Sequence, residues 1–122
     1  MTDPRPRVVQ HGDGAAVVGV RCTACGYPVA FSRPACPVCR GPVTEQRFGP
    51  AGTVFASTVV RIPVGTRTPP YGLAYVDLDD GPRVLAASLD GRDGTTVAVP
   101  VGARVRLVGV GDAGDPVVEA TP

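Results

Sequence analysis

Four cysteines are the residues of this chain whose type and spacing can do chemistry: Cys22-Thr23-Ala24-Cys25 and Cys36-Pro37-Val38-Cys39. They are all the cysteines present, and ten residues separate the two pairs. Two C-x-x-C hooks this close can aim four thiolates at one point, the ligand set of a tetrahedral Zn²⁺. Four thiolates close the tetrahedron and leave no position for a reactive water, so the site reads as structural. A redox C-x-x-C is the competing reading. It would want a low-pKa thiol at a helix N-terminus, and the chain has no helical stripe.

No constellation for catalysis accompanies the cysteines. Ser32, Ser57 and Ser88 have no local base, and no G-x-S-x-G turn occurs. His11, the one histidine, lies in loop-like sequence. The aspartates cluster in turns (Asp77, Asp79, Asp80; Asp90, Asp93; Asp112, Asp115), where the side chain caps its own backbone. No G-x-x-x-x-G-K-[ST] phosphate loop is present. The chain is expected to have no catalytic residues and not to be an enzyme.

The elements that must position the thiols follow from composition. Valine dominates the apolar set, Gly 16 and Pro 14 are high, and aromatic residues are only 5%. β-Branched side chains favour strands, while Gly and Pro break helices and make turns, so an all-β body is expected. Gly26 follows Cys25, Pro37 follows Cys36, and Gly41 comes one residue after Arg40. In a knuckle the backbone N–H groups must turn toward the thiolates; Gly permits positive φ and Pro presets the turn.

Along the chain, residues 1–14 read as a flexible segment. Ala15 to Arg21 is a short apolar strand entering the first hook. Tyr27 to Pro34 links the hooks as a tip or strand, and Glu45 to Pro50 is a connector. Five strands follow: Thr53 to Ile62, Tyr71 to Leu78, Arg83 to Leu89, Arg104 to Val110 and Pro116 to Ala120. Pro63 to Pro70 is the first loop, and Asp79-Asp80-Gly81-Pro82 turns the second strand into the third. Thr96 to Val99 is a weak strand or linker. Five strands in roughly 70 residues favour a small closed barrel, which removes exposed edges. An OB-fold matches best, with an SH3-like barrel as the alternative. The expected organisation is a flexible segment at 1–14, a zinc ribbon at 15–46 and a five-stranded OB-fold at 47–122.

Formal net charge is +1, with arginine as the only basic side chain besides His11. Such a balance aims no strong field at nucleic acid or at an acidic membrane. No apolar run reaches the roughly 18 residues of a membrane span. Met1 to Gln10 is polar and lacks the apolar region of a signal peptide, so a cytoplasmic location is expected. In that reducing setting paired C-x-x-C motifs read as metal ligands before disulfides.

The order of four-cysteine head, connector and small barrel resembles the DUF35 family, proteins with a rubredoxin-like zinc ribbon followed by an acyl-CoA-associated OB-fold. The residues that carry the resemblance are Arg21-Cys22-Thr23-Ala24-Cys25-Gly26 and Cys36-Pro37-Val38-Cys39 in the head. In the barrel they are Gly52-Thr53-Val54, Ser57-Thr58-Val59-Val60, Pro70-Tyr71 and Val76-Asp77-Leu78, then Asp80-Gly81-Pro82-Arg83-Val84-Leu85 and Val101-Gly102-Ala103-Arg104-Val105. Together they cover about residues 15–120. The resemblance implies a small non-catalytic subunit that accompanies a thiolase-like or ketosynthase-like enzyme. Such complexes make or break carbon–carbon bonds in acyl-CoA thioesters. One departure is visible, because many relatives carry a helix before the ribbon and this chain has Pro- and Gly-rich sequence there.

Within that reading Arg61 and Arg67 flank the loop between the first two barrel strands, on the side where OB-folds bind ligands. An arginine there could hold a CoA phosphate by bidentate hydrogen bonds, or be a solvated loop charge. Tyr71 could pack beside the ligand or partner, or close the barrel mouth. Tyr27 and Phe31 lie between the hooks, where so small a head cannot bury both, so at least one would anchor a partner. The alternative function is a single-stranded nucleic-acid-binding module, which needs a basic groove and stacking aromatics that this chain is poor in.

Overall fold

A computed structural model of the chain describes residues 6–12, 14–63, 69–88, 99–111 and 114–121. These residues form strands, turns and irregular segments and contain no helix. The elements are β1 (Arg7–His11), β2 (Gly14–Cys22), β3 (Pro28–Val29), β4 (Val43–Phe48), β5 (Ala51–Val60), β6 (Tyr71–Leu78), β7 (Arg83–Ser88), β8 (Arg104–Val110) and β9 (Pro116–Ala120).

The first four strands form one sheet built on β2, which pairs antiparallel with β1, β3 and β4. β2 is the continuous apolar run Gly14–Val20, and every one of those residues is buried. Continuous rather than alternating apolar character is what a strand covered on both faces requires.

Two stretches without an expected strand are strands here. Arg7–His11 falls in the segment that reads as flexible, yet it pairs with β2 from Arg7↔Val18 to His11↔Gly14. Val8 and Val9 supply β-branched side chains, and Gly12, at φ 64, turns the chain back tightly. The connector Glu45 to Pro50 is largely β4, which pairs with β2 from Val17↔Phe48 to Cys22↔Val43. Its polar residues Thr44, Glu45 and Arg47 are exposed, which hides the strand from a reading based on apolar runs.

The remaining five strands close a barrel in the order β5-β6-β7-β9-β8. All neighbours are antiparallel except β7 and β9, which run parallel. This is the OB-like order, and the SH3-like alternative is set aside. β5 begins and ends two residues before the expected Thr53 to Ile62. A bulge between Val54 and Ala56 turns Phe55 outward while Val54 stays inside. The turn expected at Asp90 and Asp93 and most of the Thr96–Val99 segment lie outside the described residues. Val99 itself is buried in the core.

A single core joins the two sheets. Ala15, Val17 and Phe48 from the first sheet, with Ala30 just past β3, belong to the same buried cluster as Val54, Val76, Val84, Val105, Leu107 and Val118 of the barrel. The core thus crosses the expected boundary between residues 46 and 47. Phe48 is its largest fully buried side chain. Its ring lies against Gly81 in the β6–β7 turn, where a Cβ would stand 2.2 Å from Cδ1 of the ring. The turn that sequence marks as Asp79–Pro82 therefore also serves as the lid over Phe48. Among the described residues no helix is long and apolar enough to cross a membrane.

Candidate metal centre and partner-facing residues

The first hook leaves the end of β2, and β3 follows it, so the strand pairing fixes where Cys22 sits. The two hooks repeat one local geometry. The Gly26 N–H donates to the Cys22 carbonyl at 3.0 Å, and the Arg40 N–H donates to the Cys36 carbonyl at 2.9 Å. Residue 26 is a glycine at φ 81, and the equivalent Arg40 takes φ 63. Positive φ in the second knuckle therefore falls on Arg40, not on the neighbouring Gly41. Gly41 is needed for closeness instead, since a Cβ there would meet the sulfurs of Cys39 at 3.2 Å and Cys22 at 3.4 Å.

The four Sγ atoms lie within 4.8 Å of one another. Cys22 and Cys39 stand 3.4 Å apart and Cys25 and Cys36 3.7 Å, too long for a disulfide bond, and all four thiols are free. A tetrahedron with metal–sulfur bonds of about 2.3 Å has edges of about 3.8 Å, so the donor set fits a metal ion of that size. Backbone N–H groups point at the sulfurs. Ala24 and Cys25 donate to Cys22 at 3.3 Å each, Val38 and Cys39 to Cys36 at 3.3 and 3.5 Å, and Gly41 to Cys39 at 3.4 Å.

These donors split the thiols into two classes. The Cys25 N–H, aided by the Ala24 N–H and outweighing desolvation, draws Cys22 down to about 6. The Cys39 N–H likewise holds Cys36 below the usual thiol range. At Cys25 the Tyr27 N–H pulls downward, but desolvation and hydrogen bonds with the other sulfurs outweigh it and push the thiol up to about 12. Cys39 is raised in the same way against the pull of the Gly41 N–H. Four negative sulfurs this close repel one another, and a divalent cation relieves that repulsion.

Arg21 ties the head to the barrel. Its guanidinium donates to the Gly26 carbonyl at 2.7 Å, to Gln46 Oε1 at 3.0 Å, and to the Asp80 carbonyl in the β6–β7 turn. It also lies over the Phe48 ring, 5.5 Å from its centroid. One side chain thus joins the first knuckle, β4 and the barrel. The sequence signal was its place directly before Cys22.

The partner-facing candidates fall into two separate groups. Arg61 is exposed just past β5, and Tyr71 is half-buried at the start of β6, directly across from Val60. Arg67 lies outside the described residues. Tyr27 and Phe31 are 47% and 40% exposed, so neither is taken into the core. They line a concavity of about 420 Å³ with Arg33, Pro37, Pro82 and Arg83. Pro82 lies beyond the far end of β6 from Tyr71, and the seven steps of that strand span about 23 Å. No single ligand-sized site brings the two groups together.

Sequence reading missed the outer face of β5, β6 and β7. Phe55, Tyr75 and Leu85 are 51%, 48% and 44% exposed there, and Tyr75 is in register with both Ala56 and Leu85. Alternation along β6 and β7 was the available signal, since Val76 and Val84 point inward. Arg83 stacks on Phe55 at 3.4 Å from the ring centroid and is paired with Asp77 at 2.6 and 3.2 Å. Gly109, Gly111 and Gly114 have G-x-G-x-x-G spacing, but they occupy the end of β8 and the hairpin to β9. No helix follows them to receive a phosphate.

Comparison with known proteins agrees with this architecture. A family model described as the ChsH2 C-terminal OB-fold domain matches residues 45–110, more than half of the chain. A protein named DUF35 domain-containing scaffold protein from Methanothermobacter thermautotrophicus is 32% identical over 78 residues, 61% of this chain and 59% of that protein. Another of the same name from Pyrococcus furiosus is 36% identical over 77 residues, 61% of this chain and 56% of that protein. The match thus spans less than two thirds of either relative. The solved structure of a protein named Ltp2-ChsH2(DUF35) aldolase superposes with a TM-score of 0.63 over 86% of this chain and 84% of that one. At 22% identity that likeness speaks for the fold. By its OB-fold sequence, its barrel topology and its four-cysteine head, the chain belongs to the DUF35 family.

Proposed function

We propose that this chain is a non-catalytic subunit of a cytoplasmic enzyme complex. It binds a thiolase-like or ketosynthase-like enzyme that forms or cleaves a carbon–carbon bond in an acyl-CoA. The observation that carries the reading is the union of the four-thiol head with an OB barrel in a chain whose relatives are named scaffold proteins. The solved structure with the same fold is named for an aldolase together with DUF35, which supports an enzyme as the partner. Zn²⁺ is the metal we assign to Cys22, Cys25, Cys36 and Cys39, where it holds the head in shape. Exposed apolar side chains on the head and on β5–β7 support a protein partner, because isolated chains seldom leave such residues contiguous.

Acyl-CoA would be a ligand shared with the enzyme, with Arg61, Arg67 and Tyr71 at the loop end of the barrel as its contacts. The test is gel filtration of the full chain with the thiolase-like enzyme of its host. Co-elution at fixed stoichiometry is expected, and separate elution at micromolar concentrations refutes the reading. Within the complex, Arg61→Ala, Arg67→Ala and Tyr71→Phe are expected to raise KM for the acyl-CoA. Unchanged KM and kcat in all three removes the CoA contact alone.

Single-stranded nucleic acid is the second reading, favoured by one observation: Phe55 and Tyr75 stand half exposed on the strands' outer face. Against it, the neighbouring Arg83 is neutralised by Asp77 and the net charge is only +1. Salt-dependent binding of an oligonucleotide at micromolar affinity would restore it.

A further inference from the structure

The barrel is hydrogen-bonded unevenly around β7. On one side β7 pairs with β6 over its whole length, from Asp77↔Arg83 to Gly72↔Ser88. On the other it meets β9 only at Ala87↔Val117 and Ser88↔Val118. The cause lies at the start of β9. Pro116 has no N–H to continue a ladder, and before it the chain turns back toward β8, with the Gly111 N–H donating to the Asp115 carbonyl at 2.9 Å. Among the described residues, no backbone hydrogen bond reaches Arg83–Ala86 from that side, and none of them closes this edge. Alternate residues of a strand face opposite neighbours, so the edge offers about two N–H and two C=O groups.

This edge is recessed. Pro6, Ala30, Phe31 and Asp115 stand around Arg83–Leu85 and enclose a concavity of about 210 Å³. That volume exceeds the about 150 Å³ of an apolar cavity that accepts benzene, so it admits a leucine or an aromatic side chain. The Arg83 guanidinium at the rim is engaged by Asp77.

We propose that Arg83–Ala86 is a strand acceptor for the enzyme of the complex. An extended, apolar segment of that enzyme pairs with the open edge of β7 and lodges one large side chain between Phe31 and Leu85. The open ladder selects a peptide backbone over a small ligand, because only a backbone matches its alternating donors and acceptors. Pro6 and Phe31 stand beside the edge and obstruct the flush, self-complementary approach that a second copy of this chain would need, which favours a projecting segment. Contact with Phe31 and Leu85 together would also make docking read the alignment of head and barrel.

The inference rests on the reading of this chain as an enzyme subunit, and one experiment separates the two. The full chain, alone and in complex with its host's thiolase-like enzyme, is followed by amide hydrogen exchange and by titration calorimetry. In the free chain, the outward amides of Arg83–Ala86 are expected to exchange rapidly although they belong to a strand. In the complex they slow at least tenfold. Leu85→Arg is expected to weaken Kd tenfold or more, while Val110→Arg, at an exposed position on β8, leaves it unchanged. A wild-type complex with unchanged exchange at β7, or full affinity in Leu85→Arg, overturns the strand-acceptor proposal and leaves the subunit reading standing. Absence of any wild-type complex removes both. Concentration-dependent protection of β7 in the chain alone assigns the edge to a second copy and overturns the proposal. Should Leu85→Arg fail to fold, wild-type exchange decides.

Discussion

Phe48→Ala tests whether head and barrel are one cooperative unit. The ring is fully buried, pairs across from Val17, lies under Gly81 and carries Arg21 on its edge of the core. Truncating such a side chain costs about 3–5 kcal/mol, the lost transfer energy plus the cavity left behind. Collapse is limited on the side where Gly81, which has no side chain to move in, abuts the ring, so the upper half of that range is expected. For 122 residues at about 2.1 cal/mol/K each, a loss in that upper half corresponds to a fall in Tm of roughly 16–20 °C. The assay is urea unfolding of the metal-loaded chain, read by circular dichroism for the barrel and by Co²⁺–thiolate absorption for the head. Both signals should move together to lower urea, in the mutant as in the parent, because the core residues of the two sheets are continuous. A loss below about 1 kcal/mol would refute the burial argument. Two separated transitions, with only the head displaced, would refute the shared core.

Gly81→Ala drives a methyl into the same ring and is expected to destabilise by about 1–3 kcal/mol, measured by the same unfolding. Paired with Phe48→Ala it should be strongly non-additive, since the clash disappears with the ring. Arg21→Ala removes three hydrogen bonds from a partly exposed guanidinium and is expected to cost about 1–2 kcal/mol. Arg21→Lys should not restore it, because an ammonium cannot span all three acceptors. Cys36→Ser is expected to abolish stable metal binding, read by metal analysis after dialysis, and with it assembly with the enzyme. Persistence of the complex in that variant would show that the metal-held head is not needed for docking. Acidification should destabilise the fold. Hydrogen bonds from Arg83 and Arg104 hold the Asp77 and Asp79 carboxyls below their usual value of 3.8. Their contribution is complete above that value and is lost as pH falls through the lowered ones, so Asp77→Asn should flatten the Tm–pH profile below about pH 4. Metal release by thiolate protonation adds to the loss in the wild type, and a chelator at neutral pH separates the two.

Much of the four-thiol site was legible because its chemistry is local. Two residues between each pair of thiols, with Gly and Pro beside them, define a knuckle with little help from the rest of the chain. The barrel strands were legible for a related reason: alternation in Tyr71–Leu78 and Arg104–Val110 records which side chains face inward. Conversely, β1 and β4 were missed because their stability comes from pairing with β2, and little in their own sequence demands a strand. Arg40 in positive φ escaped notice since an arginine gives no sign of that conformation.

Sequence by itself determined the four-thiol cluster, the all-β class and the places of the five barrel strands along the chain, all of them properties of short-range spacing and side-chain alternation. Tertiary structure alone decided that head and barrel share one core through Phe48 and that Arg21 joins them. It also decided that Tyr27 and Phe31 face a different end of the molecule from Arg61 and Tyr71, and that, among the described residues, β9 meets β7 only at Ala87 and Ser88. These depend on which distant segments meet, and burial and hydrogen bonding choose that only when the whole chain closes.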